Sequence, residues 1–111
     1  MIQSTFIRSN QGLISVELTG HAGSGEFGYD IVCAAVSALS MNLVNALEAL
    51  TSCMPEVIID EIDGGYMKVV LPTVADLRNE KAQLLFEAFL LSMTNLAEHS
   101  SEFVTTRVVL N

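Results

Sequence analysis

The stretch from Ile31 to Leu50 constrains this chain more than any other. Its apolar residues, Ile31, Val32, Ala34, Ala35, Val36, Leu39, Leu43, Val44 and Leu47 among them, cannot share a single helical stripe. Ser37, Ser40, Asn42, Asn45 and Glu48 interrupt the run, and neither Lys nor Arg flanks it as an interfacial anchor. It therefore reads as a buried helix and not as a membrane span. Asp30 is placed to cap the helix, with its carboxylate accepting from first-turn amides, and Pro55 stops it, which predicts helix over residues 31–52. Apolar surface on several faces needs the sheet on one side and another element, or a second copy of the chain, on the other.

Strand signals surround that helix. Residues 2–8 are rich in β-branched and aromatic side chains, and Ser9-Asn10-Gln11-Gly12 signals a turn. Residues 13–19 alternate, with Ile14, Val16 and Leu18 expected on one face and Ser15, Glu17 and Thr19 on the other. Residues 56–62 and 66–71 read as a second hairpin around Asp63-Gly64-Gly65, ended by Pro72. A second helix is expected over residues 77–99, capped by Asp76, with Leu77, Leu84, Leu85, Ala88, Leu91 and Leu96 facing inward. Val104, Thr106, Val108 and Leu110 alternate as a last strand. The order ββαββαβ, without linker or charge block, predicts one α+β domain over residues 1–111, with a mixed, mostly antiparallel sheet and two helices. Half of the 111 residues are hydrophobic and 16% are charged, enough apolar content for one core.

Five Lys and Arg against 13 Asp and Glu give a net charge of −8. That balance argues against nucleic-acid and anionic-membrane partners and favours a basic one. The opening Met1-Ile2-Gln3-Ser4-Thr5-Phe6 lacks the basic segment and apolar run of a secretory signal, so Cys33 and Cys53 are expected as thiols in the cytoplasm.

Chemistry concentrates where a glycine-rich loop, with Gly20, Gly23, Gly25 and Gly28, meets the first helix. If Asp30 caps that helix, Cys33 is its third residue, where free amides and the positive end of the macrodipole favour thiolate. His21 precedes it by twelve residues, and a loop of that length can return the imidazole to the thiol. Thiol, base and first-turn amides as oxyanion donors make a minimal activated nucleophile. The competing reading is that Cys33 is inert packing, the usual fate of a cysteine in an apolar helix. Cys53, before Met54-Pro55, reads as filler, and His99 as a cation-capable residue at a helix C-terminus. Ser37, one turn after Cys33, is either a small residue easing helix packing or a hydrogen-bond partner beside the site. Glu61 and Asp63 read as a solvated hairpin end. No His and Cys spacing matches a metal motif, so neither metal nor cofactor is expected.

Gly20-His21-Ala22-Gly23 together with Gly28-Tyr29-Asp30-Ile31-Val32-Cys33-Ala34-Ala35-Val36-Ser37 strongly resembles the signature of the ribosomal-processing cysteine proteases, the Prp or YsxB-like family. Chain length and element order resemble that family throughout. The resemblance implies a small cytoplasmic homodimeric endopeptidase that trims the N-terminal extension of one large-subunit ribosomal protein, the twenty-seventh, after a pair of aromatic residues. It also implies that His21 and Cys33 are catalytic and that Asp30 and Ser37 support them, with the glycine-rich loop moving to admit substrate. Asp30 has two candidate tasks here, capping the helix and orienting His21. The alternative is a non-catalytic homodimeric module that grips a basic ribosomal or assembly partner through the same loop.

Overall fold

The N-terminal alternation becomes an antiparallel ribbon of β1 (Ile2–Ser9) and β2 (Gly12–Thr19). The computed structural model describes residues 1–20, 27–60 and 65–111, the side chains of residues 27–30 excepted. The ribbon is followed by α1 (Phe27–Leu50), β3 (Glu56–Ile59), β4 (Tyr66–Val70), α2 (Val74–Leu77), α3 (Glu80–His99) and β5 (Val104–Leu110). The sheet runs β3-β4-β2-β1-β5, and every neighbouring pair is antiparallel except β1 and β5, which are parallel. This is the expected mixed, mostly antiparallel α+β fold, with one helix more than expected.

Directly paired residues share a face of a sheet. Phe6, Val16, Val69 and Val57 form one such row, and the first three are fully buried. They join Val32, Val36, Leu43, Val44 and Leu47 of α1 and Phe86, Phe89 and Met93 of α3 in one core, so both long helices cover that face. The alternate row, Thr5, Glu17, Lys68 and Ile58, faces away from the helices.

Strict alternation fails at one point in β2. Ile7 pairs with Ser15 but Arg8 with Leu13, so Ile14 is an extra residue in a bulge. The bulge turns Leu13 into the core, fully buried, and leaves Ile14 half-buried, where the sequence pattern expected Ile14 inward. Gln83 of α3 stabilises this irregularity: its Oε1 accepts from Leu13 N at 2.8 Å and its Nε2 donates to Leu13 O at 2.9 Å.

The helices also depart from their expected bounds. The expected second helix breaks at Arg78 into α2, capped by Thr73, and α3, capped by Asn79, whose Oδ1 accepts from Ala82 N at 3.0 Å. Asp76 lies inside α2 and is not a cap. In α3 the buried stripe is Ala82, Phe86, Phe89 and Met93, whereas Leu84 and Leu91 are 70% and 62% exposed and Ala88 is exposed. Two apolar rows compete for the core there. The aromatic row wins because each ring buries more area, and Phe89 meets Phe6 with centroids 5.8 Å apart. In α1 the buried stripe is Val32, Val36, Ser40, Leu43, Val44 and Leu47, and it leaves Ile31, Met41 and Leu50 exposed. Cys53 is buried in the core as filler.

Candidate active site

Three strand ends and one helix face converge at the same end of the sheet. Gln3, Thr19 and Tyr66 are cross-strand neighbours there, so β1 begins, β2 ends and β4 begins side by side. Cys33, Val36, Ser37 and Ser40 recur at three- and four-residue spacing along α1 and present one face to this end. Between them lies a cavity of about 220 Å³, closed on the sheet side by Ile2, Gly20, Gly65, Tyr66 and Met67.

The walls explain its shape. Ile2, Val36 and Met67 make it apolar, while Gly20 and Gly65 hold it open with backbone in the left-handed region, at φ +93° and +71°. Ser37 is exposed at the cavity and Ser40 is buried, with the Ser40 hydroxyl donating to the Ser37 carbonyl at 3.1 Å. Ser37 thus lines the same cavity as Cys33. Tyr66 is tied across the sheet, its phenol donating to Glu17 Oε2 at 2.8 Å, and that carboxylate raises the phenol's pKa above its ordinary value.

Cys33 is half-buried at the cavity and not disulfide-bonded. Its place along the helix differs from the expected one. Because α1 begins at Phe27, Cys33 is the seventh helical residue and not the third, and Asp30 is the fourth and not the cap. Gly28 did not stop the helix, since a single glycine within an otherwise favourable stretch is tolerated. At about 1.5 Å rise per residue, Cys33 lies about 4.5–9 Å beyond the residues whose N–H groups are free. The macrodipole falls off within the first turn, so the helix start favours thiolate at Cys33 less than the expected register implied. His21, Gly23 and Gly25 lie outside the described residues, as does the Asp30 side chain, and Glu61 and Asp63 are likewise outside them. Gly28 is part of α1.

The other sulfur behaves differently. Burial is the main cause that pushes the Cys53 thiol above its ordinary pKa, and Asp76 raises it further against an opposing hydrogen bond with Thr51. His99 ends α3, its Nδ1 2.8 Å from the Asn95 carbonyl oxygen. Among the described residues no group of three His, Cys, Asp or Glu is placed to hold a metal. Sequence reasoning missed Ser40, Met67 and Ile2 as lining residues. Ser40 was within reach, being seven residues from Cys33 on the same helical face, but Ile2 and Met67 follow only from the strand order.

A sequence model of the family described as cysteine protease Prp matches residues 1–105. The chain is 39% identical to the ribosomal processing cysteine protease Prp of Bacillus subtilis over 113 residues, covering 98% of this chain and all of that one. Its fold superposes on a Streptococcus mutans protein of known crystal structure with a TM-score of 0.93 at 64% identity, covering 100% of this chain and 96% of the other. It also superposes on the essential ribosomal processing protease Prp of Staphylococcus aureus, solved in complex with a covalently linked product peptide. There the TM-score is 0.87 at 32% identity, over 98% of this chain and all of the other.

Proposed function

The chain belongs to the cysteine protease Prp family, and from that premise we propose that it removes the N-terminal extension of a large-subunit ribosomal protein, the twenty-seventh, with Cys33 as nucleophile and His21 as general base. The class of chemistry is the family's own: the chain is a cysteine protease, a hydrolase. The observation that carries the residue assignment is the position of Cys33 at a cavity of about 220 Å³, large enough for one substrate side chain, where the sheet ends.

In this reading His21 takes the thiol proton as Cys33 Sγ attacks the scissile carbonyl carbon, whose π electrons move to oxygen. Collapse of that intermediate expels the amine, which leaves with the proton from His21. A water molecule, deprotonated by the same imidazole, then hydrolyses the thioester and releases the N-terminal fragment as a carboxylate. Because Cys33 stands in the second turn of α1, activation falls to the imidazole more than to the macrodipole. Asp30, inside the helix, is assigned to orienting His21, and Ser37 to a polar contact at the cavity rim. The cavity's apolar walls suit one of the aromatic residues before the cleavage point.

A net charge of −8 favours encounter with a basic ribosomal protein without choosing the bond, and nucleic acid and membrane have no part in this reading. The enzyme acts in the cytoplasm as a homodimer. Ile31, Met41 and Leu50 stay exposed on α1, which supports a second copy on that helix.

The test is to incubate the chain with the extended ribosomal protein and record intact masses. The expected product lacks the extension, and Cys33→Ala should fold normally and yield none. No cleavage by the wild type, or undiminished cleavage by Cys33→Ala, would overturn the assignment. His21→Ala should slow alkylation of Cys33 near neutral pH, and an unchanged rate would remove His21 from activation. Sedimentation at micromolar concentration should give twice the mass of one chain, and a monomer would refute the dimer.

A further inference from the structure

Three polar side chains are buried among the described residues, Ser4, Ser15 and Ser40, and they differ in what they hold together. The Ser4 hydroxyl lies 2.7 Å from Thr106 Oγ1, a bond that fastens β1 to β5. Ser15 pairs with Ile7 and Val70 on the sheet face turned away from the helices. Ser40 stands in the buried stripe of α1, where the other members are Val32, Val36, Leu43, Val44 and Leu47. Its hydroxyl donates at 3.1 Å to the carbonyl of Ser37, three residues back on the same helix, so that bond joins no two elements. What serine supplies at this position is a small volume where every other member of the stripe is a branched aliphatic residue.

The space so left belongs to the cavity beside Cys33, which Ser40 lines. At about 1.5 Å rise per residue, Val36 and Ser40 stand about 4.5 and 10.5 Å along the helix axis from Cys33. Ser37 is exposed at the cavity, whereas Ser40 is 4% exposed and buried with Ile2 and Val36, so the cavity deepens toward Ser40. A space of that depth takes an aromatic ring, and a small side chain would leave a void with unmade contacts.

We propose that Ser40 is a specificity-determining residue: its small side chain forms the inner end of the cavity, admits a large flat side chain beside the scissile carbonyl, and so sets the size of residue accepted before the cleaved bond. The inference rests on the reading of Cys33 as nucleophile and of this cavity as the seat of a substrate side chain. Cys33 Sγ attacks the carbonyl of the residue before the cleaved bond, so the side chain of that residue lies nearest the cavity. One methylene more or less in an apolar pocket changes kcat/KM about 10- to 200-fold.

The experiment measures kcat/KM for two peptides spanning the cleavage point, with Phe or Ala before the cleaved bond, in wild type, Ser40→Ala, Ser40→Thr and Ser40→Val. Iodoacetamide alkylation of Cys33 and thermal melting are recorded for each chain. The wild type should prefer Phe. Ser40→Ala removes the hydroxyl and keeps the space, so it should keep the wild-type ratio of Phe to Ala. Ser40→Thr keeps the hydroxyl and adds one methyl group, and it should lower that ratio at least about tenfold with alkylation unchanged. Ser40→Val should lower it as far or further, and Ser40→Thr carries the test if valine disturbs α1. A wild type indifferent to Phe and Ala, an unchanged ratio in a folded Ser40→Thr or Ser40→Val, or an equal fall in Ser40→Ala overturns the proposal and leaves Cys33 as nucleophile. Cleavage of neither peptide by the wild type, or of either by Cys33→Ala, instead overturns the proteolytic reading, and the proposal with it.

Discussion

Filling the cavity beside Cys33 from its exposed side separates its role in substrate binding from its role in the fold. Ser37 suits this purpose because it lines the cavity while exposed on α1, so Ser37→Trp displaces no core atom. Its effect on stability is confined to helix propensity, about 0.5 kcal/mol or less. The indole occupies much of a space of about 220 Å³ and leaves no room for a substrate side chain. Burying one apolar side chain contributes about 1.5–3 kcal/mol, so its exclusion should reduce kcat/KM roughly 10- to 140-fold at 1.4 kcal/mol per decade. The loss should fall mainly on KM if that side chain is bound equally in ground and transition states. The assay is steady-state cleavage of an extended peptide, with iodoacetamide alkylation of Cys33 measured in parallel, since so small a reagent does not need the cavity. Wild-type kcat/KM in a chain that folds and alkylates normally would refute the reasoning and place the substrate side chain elsewhere.

Four further outcomes are expected. Phe86→Ala should cost about 3–5 kcal/mol in urea denaturation because the ring is fully buried, whereas Leu84→Ala, at 70% exposure, should stay within about 0.5 kcal/mol. Gln83→Leu should cost about 1–3 kcal/mol by orphaning both backbone groups of Leu13, and a neutral result would show that the bulge needs no clamp. Asn79→Ala should lose about 1 kcal/mol as a cap, and Asp30→Ala should lose less in thermal melts, since Asp30 lies within α1; the reverse order would restore Asp30 as the cap. The Cys53 thiol has a folded pKa above the ordinary 9.0, so the folded state holds its proton longer than the unfolded chain. That stabilisation is complete below about pH 9 and is lost as pH rises through the folded value. Cys53→Ala should therefore flatten the alkaline fall in stability measured between neutral and strongly alkaline pH.

The hairpins and α1 were legible because period-two alternation and apolar clustering are local properties, readable without knowing what packs where. The phase of α3 was not. Leu84, Leu91 and Ala88 make as good a stripe on paper as Ala82, Phe86, Phe89 and Met93, and only the presence of Phe6 opposite Phe89 decides between them. Ile14 was misplaced for a related reason, since a bulge is specified by its clamp, Gln83, seventy residues away in the chain. At the site, Cys33 and Ser37 share a helical face and could be paired from spacing alone. Ile2 and Met67 join them only because β1 and β4 flank β2, a matter of topology.

The parallel pairing of β1 with β5 bears on when the enzyme comes to exist. Ile2, a wall of the cavity, is fastened to Phe103, and β1 has no neighbour on that side until Val104–Leu110 have been translated. A nascent polypeptide emerging from the ribosome therefore carries Cys33 early but lacks a finished pocket until its last strand is free of the exit tunnel. The wall that Ile2 contributes is therefore braced only once β5 has paired with β1.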